Sequence, residues 1–201
     1  MTISEYRVNE MILTLQGEGA MTGSAVVLLR FEGCNLNCSF CDTGFTGTGG
    51  EGGGVFSSHQ ELAEEVRKKW KNREYPVSVL CTGGEPLLQL DKPLIDEFHK
   101  HGFRILVETN GSIPAPENID WLCVSPKQKA IVHNHGNEIK IIWPQREIRP
   151  EDYRELIFDH FWIQPMHNEN YDENLKTAIE YCLAHPKWRL SLQTHRYAGI
   201  R

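Results

Sequence analysis

Seven short apolar runs punctuate the chain: AVVLLRF (Ala25–Phe31), VSVLC (77–81), RILVE (104–108), WLCV (Trp121–Val124), IKIIW (139–143), FWIQ (161–164) and RLSLQ (189–193). Runs this short without strict alternation predict strands buried on both faces. That is the pattern of a mostly parallel sheet covered by helices. Helical patterns lie between several of them. Ser58 followed by Glu61 has the spacing of a capping box, and behind it Leu62, Val66 and Trp70 recur on one helical face. Asp91 with Pro93 marks a second helix start, with Leu94, Ile95 and Phe98 facing inward. A third helix is predicted from about Asp172 to Ala184, ended near Pro186. Strand–helix–strand order predicts right-handed crossovers and an α/β fold. The stretch between Cys123 and Ile139 is too irregular for a helix. The expected architecture is therefore a partial, pared-down (β/α) barrel rather than a closed eightfold one, as a single domain over residues 1–201.

At 40% hydrophobic and 24% charged residues, the 201-residue chain has the make-up of a globular protein. A net charge of −6 speaks against a general polyanion binder, so nucleic acid is not an expected partner. The densest basic run, Lys68, Lys69, Lys71 and Arg73, reads as the solvated end of the first helix. No apolar stretch approaches the roughly 20 residues that span a bilayer. The opening MTISEYRVNE lacks the basic and apolar regions of a signal peptide. A cytoplasmic location is expected, where clustered cysteines argue for metal or catalysis rather than disulfides.

The cluster is GCNLNCSFCDT, in which Cys34, Cys38 and Cys41 have the spacing C-x3-C-x2-C. Three thiolates on one loop can hold three corners of a cubane and leave the fourth iron open. Electron-transfer ferredoxins supply four cysteines, and structural zinc also takes four ligands. A zinc site would have to recruit His133, His135 or Cys81. The isolated Cys81, Cys123 and Cys182 read as small buried residues. From Gly44 to Gly54 there are seven glycines without the lysine of a phosphate loop, which reads as a flexible loop or lid.

C-x3-C-x2-C after a buried first strand resembles the radical S-adenosylmethionine (SAM) superfamily. The resemblance implies a [4Fe–4S] cluster on the three cysteines and SAM chelating the open iron, which on reduction yields a 5′-deoxyadenosyl radical. It places Phe40, Cys41 and Asp42 beside the cofactor. CTGGEP, at the end of the second run, resembles the superfamily's GGE motif, with Gly83, Gly84 and Glu85 receiving the SAM amino group. Glycines there allow close backbone approach, and ligands in α/β folds bind beyond the carboxyl ends of strands.

LQGEG (15–19), Arg30, CDT, TGGEP, VETNG (107–111), SPK (125–127) and QPMH (164–167) occur in that order. Together they resemble the 7-carboxy-7-deazaguanine synthase family, over nearly the whole chain. This implies a radical lyase that converts 6-carboxy-5,6,7,8-tetrahydropterin to 7-carboxy-7-deazaguanine and ammonia in deazapurine (queuosine) biosynthesis, with SAM regenerated. Substrate contacts are then expected from Leu15, Gln16, Gly17, Glu18, Arg30 and Thr82, with Arg30 gripping the carboxylate or else paired with Glu32 or Glu18. SAM contacts are expected from Ser125, Pro126, Lys127, Gln164, Pro165, Met166 and His167, and secondarily from Glu108 and Asn110. Thr43 is implied as a magnesium ligand, with waters and substrate oxygens completing the octahedron. A homodimer and a flavodoxin-type electron donor are further implications. The sequence leaves open whether the C-terminal LQTHRYAGIR closes over the pocket, with Arg201 or its carboxylate as a candidate substrate contact. A glycyl-radical activase shares C-x3-C-x2-C and GGE, but LQGEG and CDT argue against it. A non-enzymatic zinc or iron–sulfur module leaves seven strands and two pocket motifs unexplained.

Overall fold

The computed structural model describes residues 3–72 and 74–200. Arg73 of the basic run and Arg201 lie outside the described residues. Among the described residues nine strands form one sheet: β1 (Tyr6–Leu15), β2 (Ala25–Phe31), β3 (Gly54–Phe56), β4 (Ser78–Gly83), β5 (Arg104–Thr109), β6 (Trp121–Val124), β7 (His135–Trp143), β8 (Ile157–Pro165) and β9 (Arg189–Leu190), in the order β3-β1-β2-β4-β5-β6-β7-β8-β9. From β2 onward every neighbour is parallel, while β1 runs antiparallel to both β2 and β3. The end strands do not pair with each other, so the sheet is an unclosed, partial barrel.

The seven predicted strands are present, with two additions. β1 escaped notice because Asn9 and Glu10 interrupt its apolar pattern at a register shift between Val8 and Glu10. β3 hides at the end of the glycine run. The last strand is shorter than RLSLQ: it stops at Leu190, because Ser191 turns its hydroxyl to Gln164 Oε1 (3.0 Å) and accepts from Gly19 N (3.0 Å).

The four helices are α1 (His59–Lys69), α2 (Lys92–Lys100), α3 (Tyr171–Ala184) and the short α4 (Thr194–Ala198). Ser58 caps α1 by accepting from Glu61 N (3.2 Å), and the Glu61 carboxylate returns to Ser57 N (2.7 Å). Trp70 ends this helix rather than continuing it, yet still packs on the core. Side chains alternate across each strand. Val27, Leu29, Phe31, Val79 and Ile105 therefore meet Leu62, Val66, Leu94, Ile95 and Phe98 of α1 and α2. Ile139, Ile141 and Ile163 meet Ala178 of α3 in a second cluster. The intervening Val26, Leu28, Leu80 and Leu106 line the opposite, concave face with Ile12.

That concave face is crossed by the loop after β1. Gln16 N donates to Ser24 O (2.9 Å) and Gly23 N to Gln16 O (2.8 Å), which closes the loop. Its tip reaches the far side of the sheet, where Ala20 N donates to Glu138 Oε2 of β7 (2.8 Å). The glycine segment also differs from the loose loop expected of it. Gly50 N donates to Asn9 O (3.0 Å), Met11 N to Glu51 O (2.8 Å) and Gly47 N to Glu32 Oε1 (2.9 Å). A Cβ on Gly50 or Gly53 would stand 2.4 or 2.3 Å from Asn9 O. Glycine is used here for close docking against β1.

Asp91 caps α2 through Leu94 N (3.1 Å) and also accepts from Tyr6 OH (2.7 Å), joining the helix to β1. Asp91→Ala is expected to cost about 2 kcal/mol, against about 1 for Ser58→Ala. Thermal unfolding should show the first as a fall of roughly 4–8 °C and the second as about half that.

Candidate active site

The carboxyl ends of β2, β4, β5, β7 and β8 open into one pocket of about 570 Å³. The cysteine loop leaves β2 through Gly33, whose φ of 88° suits glycine. Gly33 O accepts from Glu85 N (2.9 Å) and Gly33 N donates to Phe45 O (3.3 Å). Asn35 links the loop to the end of β5 through Ser112 (2.8 Å) and Asn110 (3.0 Å). Cys34, Cys38 and Cys41 are free thiols lining one wall. Burial pushes the Cys38 thiol up, Lys127 opposes this, and Cys41 and Cys34 add to the rise. Among the described residues, no three His, Cys, Asp or Glu side chains converge on a site for one metal ion.

The candidate zinc ligands lie elsewhere. Cys81 is buried among the α1 and α2 core residues. His133 bonds Ile113 O (2.8 Å) and His135 bonds Asn134 Oδ1 (2.8 Å), and neither lines the pocket. Cys123 is buried as expected, but Cys182 is only partly buried.

Of the two glycines of TGGEP, Gly83 is packed against the end of β2 and Gly84 against the cysteine loop. Gly83 has φ 149° and a Cβ there would meet Phe31 O at 2.4 Å; one on Gly84 would meet Gly33 O at 2.1 Å. This cradle, with three thiols and no fourth beside them, matches what a three-thiolate cluster and its bound ligand require. Glu85 departs from its expected place. It is fully buried, and it accepts from Leu87 N (3.0 Å), Thr109 Oγ1 (2.8 Å) and Asn110 N (2.8 Å). Burial raises its pKa while these donors hold it back. Its side chain anchors the glycine turn to β5 instead of lining the pocket.

The other expected residues gather around the same space. Phe40, Asp42 and Thr43 line it beside the cysteines, with Thr43 Oγ1 3.3 Å from Asp42 Oδ1. Ser125 and Lys127 line it after β6, Lys127 Nζ donating to Ser125 Oγ (2.6 Å). Pro126 is buried behind them and its carbonyl accepts from Gln145 (3.3 Å). Gln164 and Pro165 at the end of β8 and Met166 and His167 just beyond it also line the pocket; Asn174 of α3 holds this segment through Met166 O (2.9 Å). Across the pocket stand Leu15, Gln16, Gly17, Glu18, Arg30 and Thr82. Arg30 pairs with neither Glu32 nor Glu18. Its Nε lies 3.4 Å from Glu10 Oε2, directly across the β1–β2 ladder.

Sequence reasoning missed Lys140, at the centre of the floor. Lys140 of β7, 3% exposed, places Nζ 2.5 Å from Glu18 Oε2 and 2.8 Å from Glu108 Oε2. Gln16 Nε2 donates to Glu108 Oε1 (3.1 Å) and Gln193 Nε2 to Glu18 Oε1 (2.9 Å). Burial opposes ionisation of Glu18, but Lys140 and the Gln193 and Gln164 amides outweigh it and hold the carboxyl at about 2. Glu108 moves the other way, raised by burial more than Lys140 lowers it. A lysine inside the apolar run IKIIW was the available signal, since lysine is almost never buried unpaired. The C-terminal segment reaches the pocket. His195 and Arg196 line it, and Arg196 pairs with Asp42 (2.9 Å).

An open, mostly parallel sheet with a three-cysteine loop over its carboxyl ends defines a radical SAM protein, and the radical SAM superfamily model matches residues 28–157. The 7-carboxy-7-deazaguanine synthase of Caulobacter vibrioides is 48% identical over 97% of this chain and 99% of its own. That of Bradyrhizobium diazoefficiens is 49% identical over 98% and 99%. The crystal structure of QueE from Escherichia coli superposes with a TM-score of 0.67 at 26% identity, covering 94% of this chain and 93% of that one. The chain belongs to the 7-carboxy-7-deazaguanine synthase family of the radical SAM superfamily, whose chemistry rests on a [4Fe–4S] cluster and SAM.

Gly84→Ala is expected to push the cysteine loop away from the turn. Iron bound after anaerobic reconstitution should fall below half that of the parent chain while far-ultraviolet circular dichroism is kept.

Proposed function

We propose that this chain converts 6-carboxy-5,6,7,8-tetrahydropterin to 7-carboxy-7-deazaguanine and ammonia by radical ring contraction. One observation carries the reading: a single pocket is lined on one wall by Cys34, Cys38, Cys41 and the Gly83–Gly84 cradle, and on the other by Arg30 and the 15–18 loop. When bound, the cluster and SAM supply the hydrogen-abstracting radical. The protein's own residues bind and orient. Gly83, Gly84, Ser125, Lys127 and the 164–167 segment would hold SAM, and Phe40 would receive its adenine. Arg30 takes the pterin carboxylate, since a guanidinium offers two parallel donors and its pairing with Glu10 engages Nε, at 3.4 Å. Glu18, held ionised, accepts from the amino edge of the ring, and Thr82 lies between cofactor and substrate.

Magnesium belongs to this reading through Thr43. A single hydroxyl beside Asp42 is a weak site by itself, so the ion gains its remaining oxygens from substrate and water. The homodimer and flavodoxin-type donor implied by the resemblance belong here too. The exposure of Cys41 at the protein surface supports electron delivery from outside. All six cysteines are free, which supports a reducing, cytoplasmic setting. No helix among the described residues is long and apolar enough to cross a membrane.

Anaerobically reconstituted protein with reductant, SAM and the carboxypterin should yield the deazaguanine with SAM undiminished. Deoxyadenosine without deazaguanine would assign the chain another radical reaction. Arg30→Ala should raise KM roughly 10–100-fold, the range for a lost charge-assisted pair. Thr43→Ala should raise the magnesium concentration for half-maximal turnover, and an unchanged dependence would remove Thr43 as a ligand.

A further inference from the structure

We propose that Ser191 is a positioning residue that couples the two halves of the pocket, so that SAM bound against Gln164 tightens the hold of the 15–18 loop on the carboxypterin. This rests on the ring-contraction reading above. Leu15 ends β1 and Gln16, Gly17 and Glu18 follow it on the substrate side, while Gln164 near the end of β8 stands on the SAM side. β1 and β8 lie far apart in the strand order, so no ladder joins them. One hydroxyl does. Ser191 Oγ accepts from Gly19 N (3.0 Å) and donates to Gln164 Oε1 (3.0 Å). Ser191 and Gln164 are both buried, so water does not stand in for either partner.

A serine hydroxyl has one hydrogen to give and lone pairs to receive, whereas a backbone N–H can only donate. With Gly19 N on Ser191 Oγ, the hydroxyl hydrogen is left for Gln164 and is satisfied only if the amide turns Oε1 toward it. Gln164 Nε2 is then left to donate on the pocket side. An acceptor on bound SAM that takes this N–H makes the amide carbonyl a stronger acceptor for Ser191, and Ser191 in turn a stronger acceptor for Gly19 N. Buried hydrogen bonds in a chain polarise one another in this way. The node is also fixed from behind, because Ser191 N donates to Ile163 O (2.9 Å) and ties its backbone to β8. The other anchors of the loop lead elsewhere. Ala20 N donates to Glu138 Oε2 (2.8 Å), whose second oxygen takes Trp121 Nε1 (2.5 Å). Gly17 O accepts from Thr194 N (2.8 Å) and Oγ1 (3.0 Å) at the start of α4. Gln193 is the rival link, since its Nε2 donates to Glu18 Oε1 (2.9 Å) and to Asp42 Oδ2 of the cysteine loop (3.3 Å). Its contact with Asp42 is exposed, and water replaces such a contact at little cost.

The test uses the reconstituted holoenzyme with its cluster left oxidised, so that both ligands bind without turnover. Isothermal titration gives the SAM Kd alone and with saturating 6-carboxy-5,6,7,8-tetrahydropterin. The ratio of the two is the coupling factor, and linkage requires the same ratio for the pterin Kd without and with SAM. In the parent chain the ratio should be at least about fivefold, the low end of ordinary coupling between sites, and in Ser191→Ala it should fall below about twofold. Should the alanine variant not fold, Ser191→Cys takes its place with the same expectation, its thiol being a weak donor and acceptor. The idea is overturned if the parent ratio is near one, or if the Ser191 variant keeps the parent ratio. Weaker binding of each ligand alone with an unchanged ratio marks a structural role and overturns it too. A ratio kept in Ser191→Ala and lost in Gln193→Ala assigns the link to Gln193 instead. A parent chain that binds SAM but neither binds the carboxypterin nor makes deazaguanine would strike the ring-contraction reading itself.

Discussion

A buried ammonium between two carboxylates holds the active end of this molecule together. Taking Lys140 out of water costs several kcal/mol, and that cost is met only when well-placed opposite charges and hydrogen bonds surround it. Those charges come from the loop after β1 and from β5, while Lys140 itself comes from β7. The loop must therefore lie across the concave face, and β5 and β7 must stand in register on either side of the short β6. Gln16 and Gln193 extend the same network toward the front and back of the pocket. The mouth of the site is shaped by this arrangement as much as by the strands themselves.

Much of the sheet was legible because parallel strands buried on both faces read as apolar runs of a length no amphipathic helix shares. The three helices were legible through Ser58, Asp91 and the period of their buried positions. β1 was not, since Asn9 and Glu10 interrupt it where the register shifts, and only pairing with β2 on one side and the glycine segment on the other makes it a strand. The site divides in the same way. Cys34, Cys38 and Cys41 are contiguous, so their spacing is visible in the letters. Lys140, Glu18 and Glu108 are brought together from three distant segments, and no local pattern joins them.

Glu85 illustrates a motif whose letters are right and whose role is different. Gly83 approaches the end of β2 and Gly84 the cysteine loop so closely that no Cβ fits there. Glu85, the most noticeable polar residue of the motif, turns away into the protein and secures Thr109 and Asn110. The turn is thus fastened to β4, to β5 and to the cysteine loop. A cofactor held by backbone atoms gains its orientation from fastening of this kind.

The seven glycines after the cysteine motif have a consequence for the molecule among its own copies. An outermost strand presents a row of free amides and carbonyls that another chain can extend into a larger sheet. Here Asn9 O is covered by Gly50 N, Met11 N by Glu51 O, and the first residues of β1 by β3. The glycine-rich segment works as a cover strip along that margin, and a crowded solution of this protein is protected there from edge-to-edge polymerisation by residues that sequence composition alone would class as slack.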